Sequence, residues 1–393
     1  MNPSDKIYIA GHLGLVGSAI WKNLQAKGYT NLIGRSIDEL DLMDQKAVGE
    51  FFKQEKPDYV ILAAAKVGGI MANNTYRGQF IYENLQIQNN IIHQAYLNNV
   101  KKLLFLGSTC IYPRDCPQPM REDYLLTSPL EFTNEPYAIA KIAGLKLSES
   151  YNLQYGTNFL AVMPTNLYGP NDNFDLEKSH VLPALIRKIH LGRCLEEGNW
   201  DAIRKDLTKR PIEGITGNHQ EPEIIEILAK YGIQSSKSEK LTANSEKQTE
   251  YSNPHRVTVE IWGTGSPFRE FLWSEEMADA CVYLMEQVDF KDLVIARSEE
   301  TKQSQKPIAN SEQLEIRNTH INIGTGKEIT IKNLAQLVKE TIGFQGVLFF
   351  NTSKPDGTMR KLTDPSKLHR LGWHHQIDIE EGIQRLYTWY IAS

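Results

Sequence analysis

Cysteine is scarce in this chain: Cys110, Cys116, Cys194 and Cys281 are four thiols among 393 residues. None belongs to a paired Cys-x-x-Cys and none has histidines at zinc-ligand spacing. Neither a disulfide scaffold nor a structural metal is therefore expected, and reduced thiols fit best. Charge of one sign is also missing. The 43 Lys and Arg nearly balance the 48 Asp and Glu, for a formal net charge of −5. Without a basic surface to release counterions, nucleic acid is not an expected partner. Long apolar runs are lacking too, none approaching the ~20 residues that cross a bilayer, so no membrane partner is expected. The first residues (Met1, Asn2, Pro3, Ser4, Asp5, Lys6) enter a strand-like run with no basic-then-apolar pattern. They read as the start of a mature cytoplasmic protein. At ~150 residues per domain, the length suggests two to three domains.

What is present is alternation. Strand patterns at 6–10, 31–34, 59–63, 102–106 and 159–163 alternate with helical ones at 16–27, 46–54, 79–98 and 136–154, the last with Pro136 in its first turn. This spacing predicts βαβ units and an α/β fold: a doubly wound parallel Rossmann sheet with ligands at the carboxyl ends of the strands, beside a smaller α/β substrate-binding domain. The first domain is expected over 1–170 with returning segments near 270–290 and 319–324, the second over 171–269 and 325–393. Between 196 and 256 the chain turns polar and charged. Beyond a short amphipathic helix at 221–231, this composition buries too little surface to offset its ordering, so it is read as a partly mobile surface insertion. A second polar stretch lies at 299–313.

Between the first strand and first helix stand Gly11, His12, Leu13, Gly14, Leu15, Val16 and Gly17. Glycines three apart let backbone amides approach a pyrophosphate at a helix N-terminus. The same spacing also serves a plain strand-to-helix turn, but in a βαβ setting the dinucleotide reading is favoured. After the second strand, Arg35 and Ser36 suit the 2′-phosphate of NADP better than the ribose hydroxyl of NAD, whereas a solvated surface Arg is the alternative. Asp41 and Leu42 are placed to reach the adenine ring or to cap a helix. Tyr137 and Lys141 are four apart on one helix, where an ammonium lowers the phenol's pKa so that it can protonate a carbonyl as hydride arrives. Ser108, at the end of a preceding strand within Leu106, Gly107, Ser108 and Thr109, can hydrogen-bond the same oxygen.

The glycine motif, Ser108, Tyr137 and Lys141, in this order, resemble the extended short-chain dehydrogenases/reductases that modify nucleotide sugars. The stretches at 63–70, 84–85, 108–113, 134–141, 164–170, 179–183, 262–265, 269–271 and 353–357 are similar to the GDP-L-fucose synthases within that family. The resemblance implies NADP(H) as cofactor and GDP-4-keto-6-deoxy-D-mannose as the nucleotide-sugar substrate, epimerised at C3 and C5 and then reduced at C4 to GDP-L-fucose. It implies Cys110 and His180 as the acid/base pair of epimerisation, Tyr137 as the proton donor at C4, Lys141 as its tuner and ribose ligand, and Ser108 as an oxyanion partner. It places Pro164, Thr165, Asn166 and Leu167 along the nicotinamide and His180 also at the cofactor. Lys188, Trp262, Arg269, Asp356 and Lys361 are placed at the substrate, and a homodimer is implied. Leu13 departs from relatives that carry an Arg there, so NADP preference leans on Arg35. Ordinary structural roles remain open: a buried Cys, a capping His, a core Trp262, an ion-paired Arg269.

Overall fold

The structure, a computed structural model, describes residues 1–235, 257–294 and 316–393. The polar stretch at 299–313 and residues 236–256 of the insertion lie outside them. In chain order the elements are β1 (Ile7–Ala10), α1 (Leu15–Ala26), β2 (Leu32–Ile33), α2 (Gln45–Glu55), β3 (Tyr59–Leu62), α3 (Ile70–Thr75), α4 (Arg77–Leu97), β4 (Lys102–Leu106), α5 (Glu135–Tyr155), β5 (Phe159–Pro164), β6 (Asn166–Tyr168), α6 (Val181–Glu197), α7 (Trp200–Lys209), α8 (Glu221–Lys230) and β7 (Ile233–Ser235). There follow β8 (Val257–Trp262), β9 (Phe268–Arg269), β10 (Phe271–Trp273), α9 (Ser274–Gln287), β11 (Ile321–Ile323), β12 (Ile329–Thr330), α10 (Ile331–Ile342), β13 (Val347–Asn351), α11 (Ser366–Arg370) and α12 (Ile379–Ala392).

Six strands form one parallel sheet in the order β11-β5-β4-β3-β1-β2. Period-two alternation feeds both of its faces. From β1, Ile7 and Ile9 pack with Ala19, Ile20 and Leu24 of α1 and Met277, Ala278 and Val282 of α9. Tyr8 and Ala10 point the other way, into Phe51 and Phe52 of α2, Ile91 and Ile92 of α4, and Leu145 of α5. Local chemistry fixes the helix ends. The Asp44 carboxylate accepts from Lys46 N and Ala47 N to cap α2 at 2.9 and 3.0 Å, and Gly156, left-handed at φ 67°, stops α5. The order of strands reverses beside β1, whose neighbours are β2 and β3. This makes the crevice at the ends of β1 and β3 the place for a ligand.

The chain divides into two compact units. The first comprises Met1–Asn171, Glu270–Lys327 and Lys361–Ile377, the second Asp172–Arg269, Glu328–Arg360 and Asp378–Ser393. Lys361–Ile377 thus groups with the six-stranded sheet rather than with the second unit, where it was expected, because Leu368 and Trp373 are buried in the core beneath α1 and α9. The second unit is built on the sheet β13-β8-β7. Within the insertion, the short helix expected at 221–231 is α8, whereas α7 and β7 are ordered elements where the polar composition suggested surface decoration. Ile203 and Leu207 of α7 and Ile224 and Leu228 of α8 are fully buried. Asn199 caps α7, and Gln220 with Glu223 forms a capping box on α8. A buried ion pair between Arg187 of α6 and Asp206 of α7, 2.9 Å apart, fastens them, with Arg187 also donating to Phe174 O at 3.1 Å and the Tyr390 hydroxyl donating to Asp206.

Candidate active site

Close approach of backbones dictates the turn after β1. Gly11 has φ +86°, and a Cβ there would lie 2.7 Å from the amide nitrogen of Ala64, just beyond β3. A Cβ on Gly17 would lie 2.1 Å from the carbonyl oxygen of Gly11. Gly14 is the N-cap of α1 and has no side chain to lay over the first turn, whose N–H groups lack intrahelical acceptors. The result is a cradle that side chains would fill and that fits a dinucleotide's diphosphate. The His12 ring lies so close to Gly34 that a Cβ there would meet it at 2.4 Å. Leu13 is 68% exposed, leaving the expected phosphate selectivity to Arg35. The Arg35 guanidinium is 2.7 Å from Glu55 and 5.6 Å from the Phe51 ring centroid, so a phosphate at this place competes with a carboxylate. Asp41 accepts from Met43 N at 2.9 Å, and Asn90 Nδ2 donates to Leu42 O at the same distance, which pins this turn to α4.

Past β4, the first unit brings Ser108, Cys110, Tyr137 and Lys141 together. Lys141, 3% exposed, donates to Leu106 O at 2.8 Å. Its Nζ sits 4.8 Å from the Phe105 ring centroid and 5.7 Å from that of Tyr137. The Ser108 hydroxyl accepts from Cys110 N at 3.3 Å. A Cβ on Gly107 would strike the Met163 sulfur at 2.3 Å, so β4 and β5 approach closely here. Burial pushes the Cys110 thiol up, while Ser108 and the ammonium groups of Lys361 and Lys141 draw it down. Burial also lowers Lys141 to about 8. The phenol of Tyr137 departs from expectation: it is raised, not lowered, by burial and by the neighbouring Cys110. Helical spacing puts Lys141 against the ring of Tyr137, but desolvation outweighs any help from its charge.

The nicotinamide-lining candidates follow β5. Thr165 is buried, and its N–H donates to Ile323 O at 2.9 Å. Asn166 Nδ2 donates to Glu270 O at 2.7 Å. Pro164 ends β5 and Leu167 pairs with Leu272 across β6 and β10. Glu270, a residue to which the sequence assigned no role, is fully buried here. Its sequence signals are its place in the 269–271 stretch that resembles the GDP-L-fucose synthases and an acid set between Arg269 and the apolar Phe271.

In the second unit, Trp262, Asp356 and Arg269 lie toward the carboxyl end of β8, and Lys188 and His180 belong to α6. Trp262 is 58% exposed, with Lys354 Nζ 5.1 Å from its ring centroid. Asp356 is bound to Thr264, accepting from its N–H at 2.9 Å and its hydroxyl at 2.7 Å, so it shapes the turn behind Trp262. Arg269 donates to Thr358 O and to Phe268 O, both at 2.6 Å, and the carboxylate of Asp356 acts on its charge. Lys188 of α6 donates to Glu260 O at 2.6 Å, and burial lowers it to about 8. His180 is the N-cap residue of α6 and makes no capping bond. Desolvation holds its imidazole below the ordinary range, an effect its exposed surface moderates. Lys361 belongs to the first unit, where its charge reaches Cys110.

Similarity to known proteins agrees with this geometry. Over 99% of this chain and 94% of its own length, GDP-L-fucose synthase 1 of Arabidopsis thaliana is 45% identical. GDP-L-fucose synthase of Escherichia coli (strain K12) is 43% identical over 99% of this chain and 97% of its own. Among solved structures, a GDP-D-glycero-L-gluco-heptose synthase from Campylobacter jejuni, determined in the presence of NADPH, superposes with a TM-score of 0.80. It is 44% identical over 100% of this chain and 99% of its own. The description of the NAD dependent epimerase/dehydratase family matches residues 7–208. With a glycine cradle at the switch point of a parallel sheet and full-length relatives of this kind, the chain belongs to the NAD dependent epimerase/dehydratase family.

Proposed function

We propose that this protein is an NADP-dependent enzyme that converts GDP-4-keto-6-deoxy-D-mannose to GDP-L-fucose, by epimerisation at C3 and C5 and reduction at C4. The observation that carries the reading is the thiol, hydroxyl, phenol and ammonium gathered beyond β4, in a chain more than two-fifths identical over its length to GDP-L-fucose synthases. The C4 ketone acidifies the hydrogens on both flanking carbons. Inverting a carbon needs a base on one face and an acid on the other, roles for which Cys110 and His180 have suitable chemistry. Ser108 and Tyr137 hydrogen-bond the oxygen on which charge develops. Tyr137 then gives its proton to that oxygen, and Lys141, charged at neutral pH, supplies compensating charge next to the phenol. Bound NADPH supplies the hydride. Residues 11–17 hold its diphosphate, Arg35 its 2′-phosphate, and residues 164–167 its nicotinamide. Lys188, Arg269 and Lys361 offer charge to the GDP diphosphate, Trp262 a stacking face, and Asp356 holds the turn that presents it.

The test is incubation with GDP-4-keto-6-deoxy-mannose and NADPH, following absorbance at the reduced cofactor's band and the stereochemistry of the product. Folded protein that oxidises no NADPH sinks the reading. A second reading is reduction of a GDP-4-keto-heptose, favoured by the Campylobacter jejuni heptose synthase. Comparing kcat/KM for the two sugars decides between them. A homodimer is supported by apolar side chains left exposed on α4 and α5, among them Tyr82 at 61% and Leu153 at 51%, and sedimentation equilibrium measures it. A cytoplasmic location goes with this reading, and cell fractionation checks it.

A further inference from the structure

Glu270 is 0% exposed, and a carboxylate so placed is costly unless its lone pairs are all used. They are. Oε1 accepts from Thr325 N at 2.6 Å and Gly326 N at 2.8 Å, just past β11. Oε2 accepts from Thr363 N at 2.8 Å and the Thr363 hydroxyl at 2.7 Å. The backbone of the same residue reaches a third segment, its carbonyl accepting from Asn166 Nδ2 at 2.7 Å and the Thr165 hydroxyl at 3.4 Å. Space enforces the junction: a Cβ on Gly324 would lie 2.0 Å from the Thr363 hydroxyl and 2.4 Å from Glu270 Oε1. Thr363 in turn stands two residues from Lys361, on a stretch fixed by Met120 N donating to Leu362 O at 2.7 Å and Leu362 N donating to Gln118 Oε1 at 2.8 Å.

We propose that Glu270 is a positioning residue whose buried carboxylate and carbonyl lock the 164–167 segment beside the nicotinamide to the 361–363 segment that carries Lys361, aligning reduction and epimerisation through one junction. This rests on the functional reading above, which gives those two segments their roles. Glu270 touches neither the reacting atoms nor the diphosphate cradle at residues 11–17. Disturbing it acts on alignment, not on capture of the cofactor.

The experiment compares wild type with Glu270→Gln, whose amide turns a donor toward N–H groups that need an acceptor. Thr363→Val, which deletes only the hydroxyl bond to Oε2, serves as the milder variant should the first fail to fold. Four quantities are read per folded molecule: kcat, KM for NADPH, solvent deuterium uptake at C3 and C5, and the emission wavelength of bound NADPH. In Glu270→Gln, kcat and deuterium uptake should both fall on the order of tenfold to a hundredfold, the scale of a misplacement of about 1 Å. KM for NADPH should stay within about twofold, since cofactor capture lies elsewhere. Emission of bound NADPH should move toward that of the free cofactor. Thr363→Val should show smaller losses in the same two rates. Melting temperature alone falling, with both rates per folded molecule unchanged, overturns the proposal, as does loss of one rate without the other. Should wild type turn over neither sugar, the functional reading has failed instead, and the emission of bound NADPH in the variants decides the role of Glu270.

Discussion

At the residue scale, the site depends on how burial shifts a few titratable groups. Cys110→Ser exchanges a polarisable thiol for a hydroxyl that ionises far less readily. Solvent deuterium uptake at the sugar should collapse by two or more orders of magnitude, about the worth of a positioned acid or base, while NADPH affinity, measured by fluorescence, stays near wild type. Lys141 yields a prediction about pH. Its folded value of about 8 lies below the ordinary 10.5. Between those values the unfolded chain holds a proton that the folded one lacks, so stability rises with pH through the window, and the cost of burying the charge is fully present below it. Relative to wild type, Lys141→Met should abolish a gain of about 3 kcal/mol across that range, read from urea midpoints between pH 7.5 and 10. Lys188 shifts the same way, which is why the comparison is between variants. Tyr137 and Lys141 were legible because helical spacing alone makes them neighbours. The direction of the Tyr137 shift was not, since desolvation is a property of what the fold packs around a phenol. Glu270 escaped notice because its partners come from positions 325, 326 and 363, which no local pattern joins to it.

At the element scale, the regular parts of the sheet could be read from alternation, with β4 starting and ending where the pattern placed it. Strands of two or three residues, such as β6, β9 and β10, have too few positions to show a period, and pairing with distant partners is what makes them strands. In the charged region after residue 196, composition misled. α7 holds only two fully buried aliphatic side chains, Ile203 and Leu207, but these are four apart and lie on one face. Its inward charge, Asp206, is taken up by Arg187. Leu207→Ala should therefore cost about 2–5 kcal/mol, the price of a core cavity and not of a surface change, as measured by denaturant unfolding. A loss under about 0.5 kcal/mol would return this region to surface decoration.

At the scale of the whole molecule, the chain leaves its nucleotide-binding unit after Asn171 and re-enters it twice. The apolar face of α1, with Ala19, Ile20 and Leu24, is covered by α9, and β5 finds its outer neighbour only in β11. A fragment ending at Asn171 would expose both. It should show no cooperative thermal transition and no sharp near-ultraviolet dichroism, whereas the full chain shows both; a fragment that melts cooperatively and binds NADPH would contradict this. The same weave sets a schedule for synthesis. At about 5–20 residues per second, roughly 8–30 s pass on the ribosome between completion of β6 and arrival of β11. Through that interval the nascent sheet keeps a bare edge and an uncovered helix face, so chaperone capture during translation is to be sought between these two points.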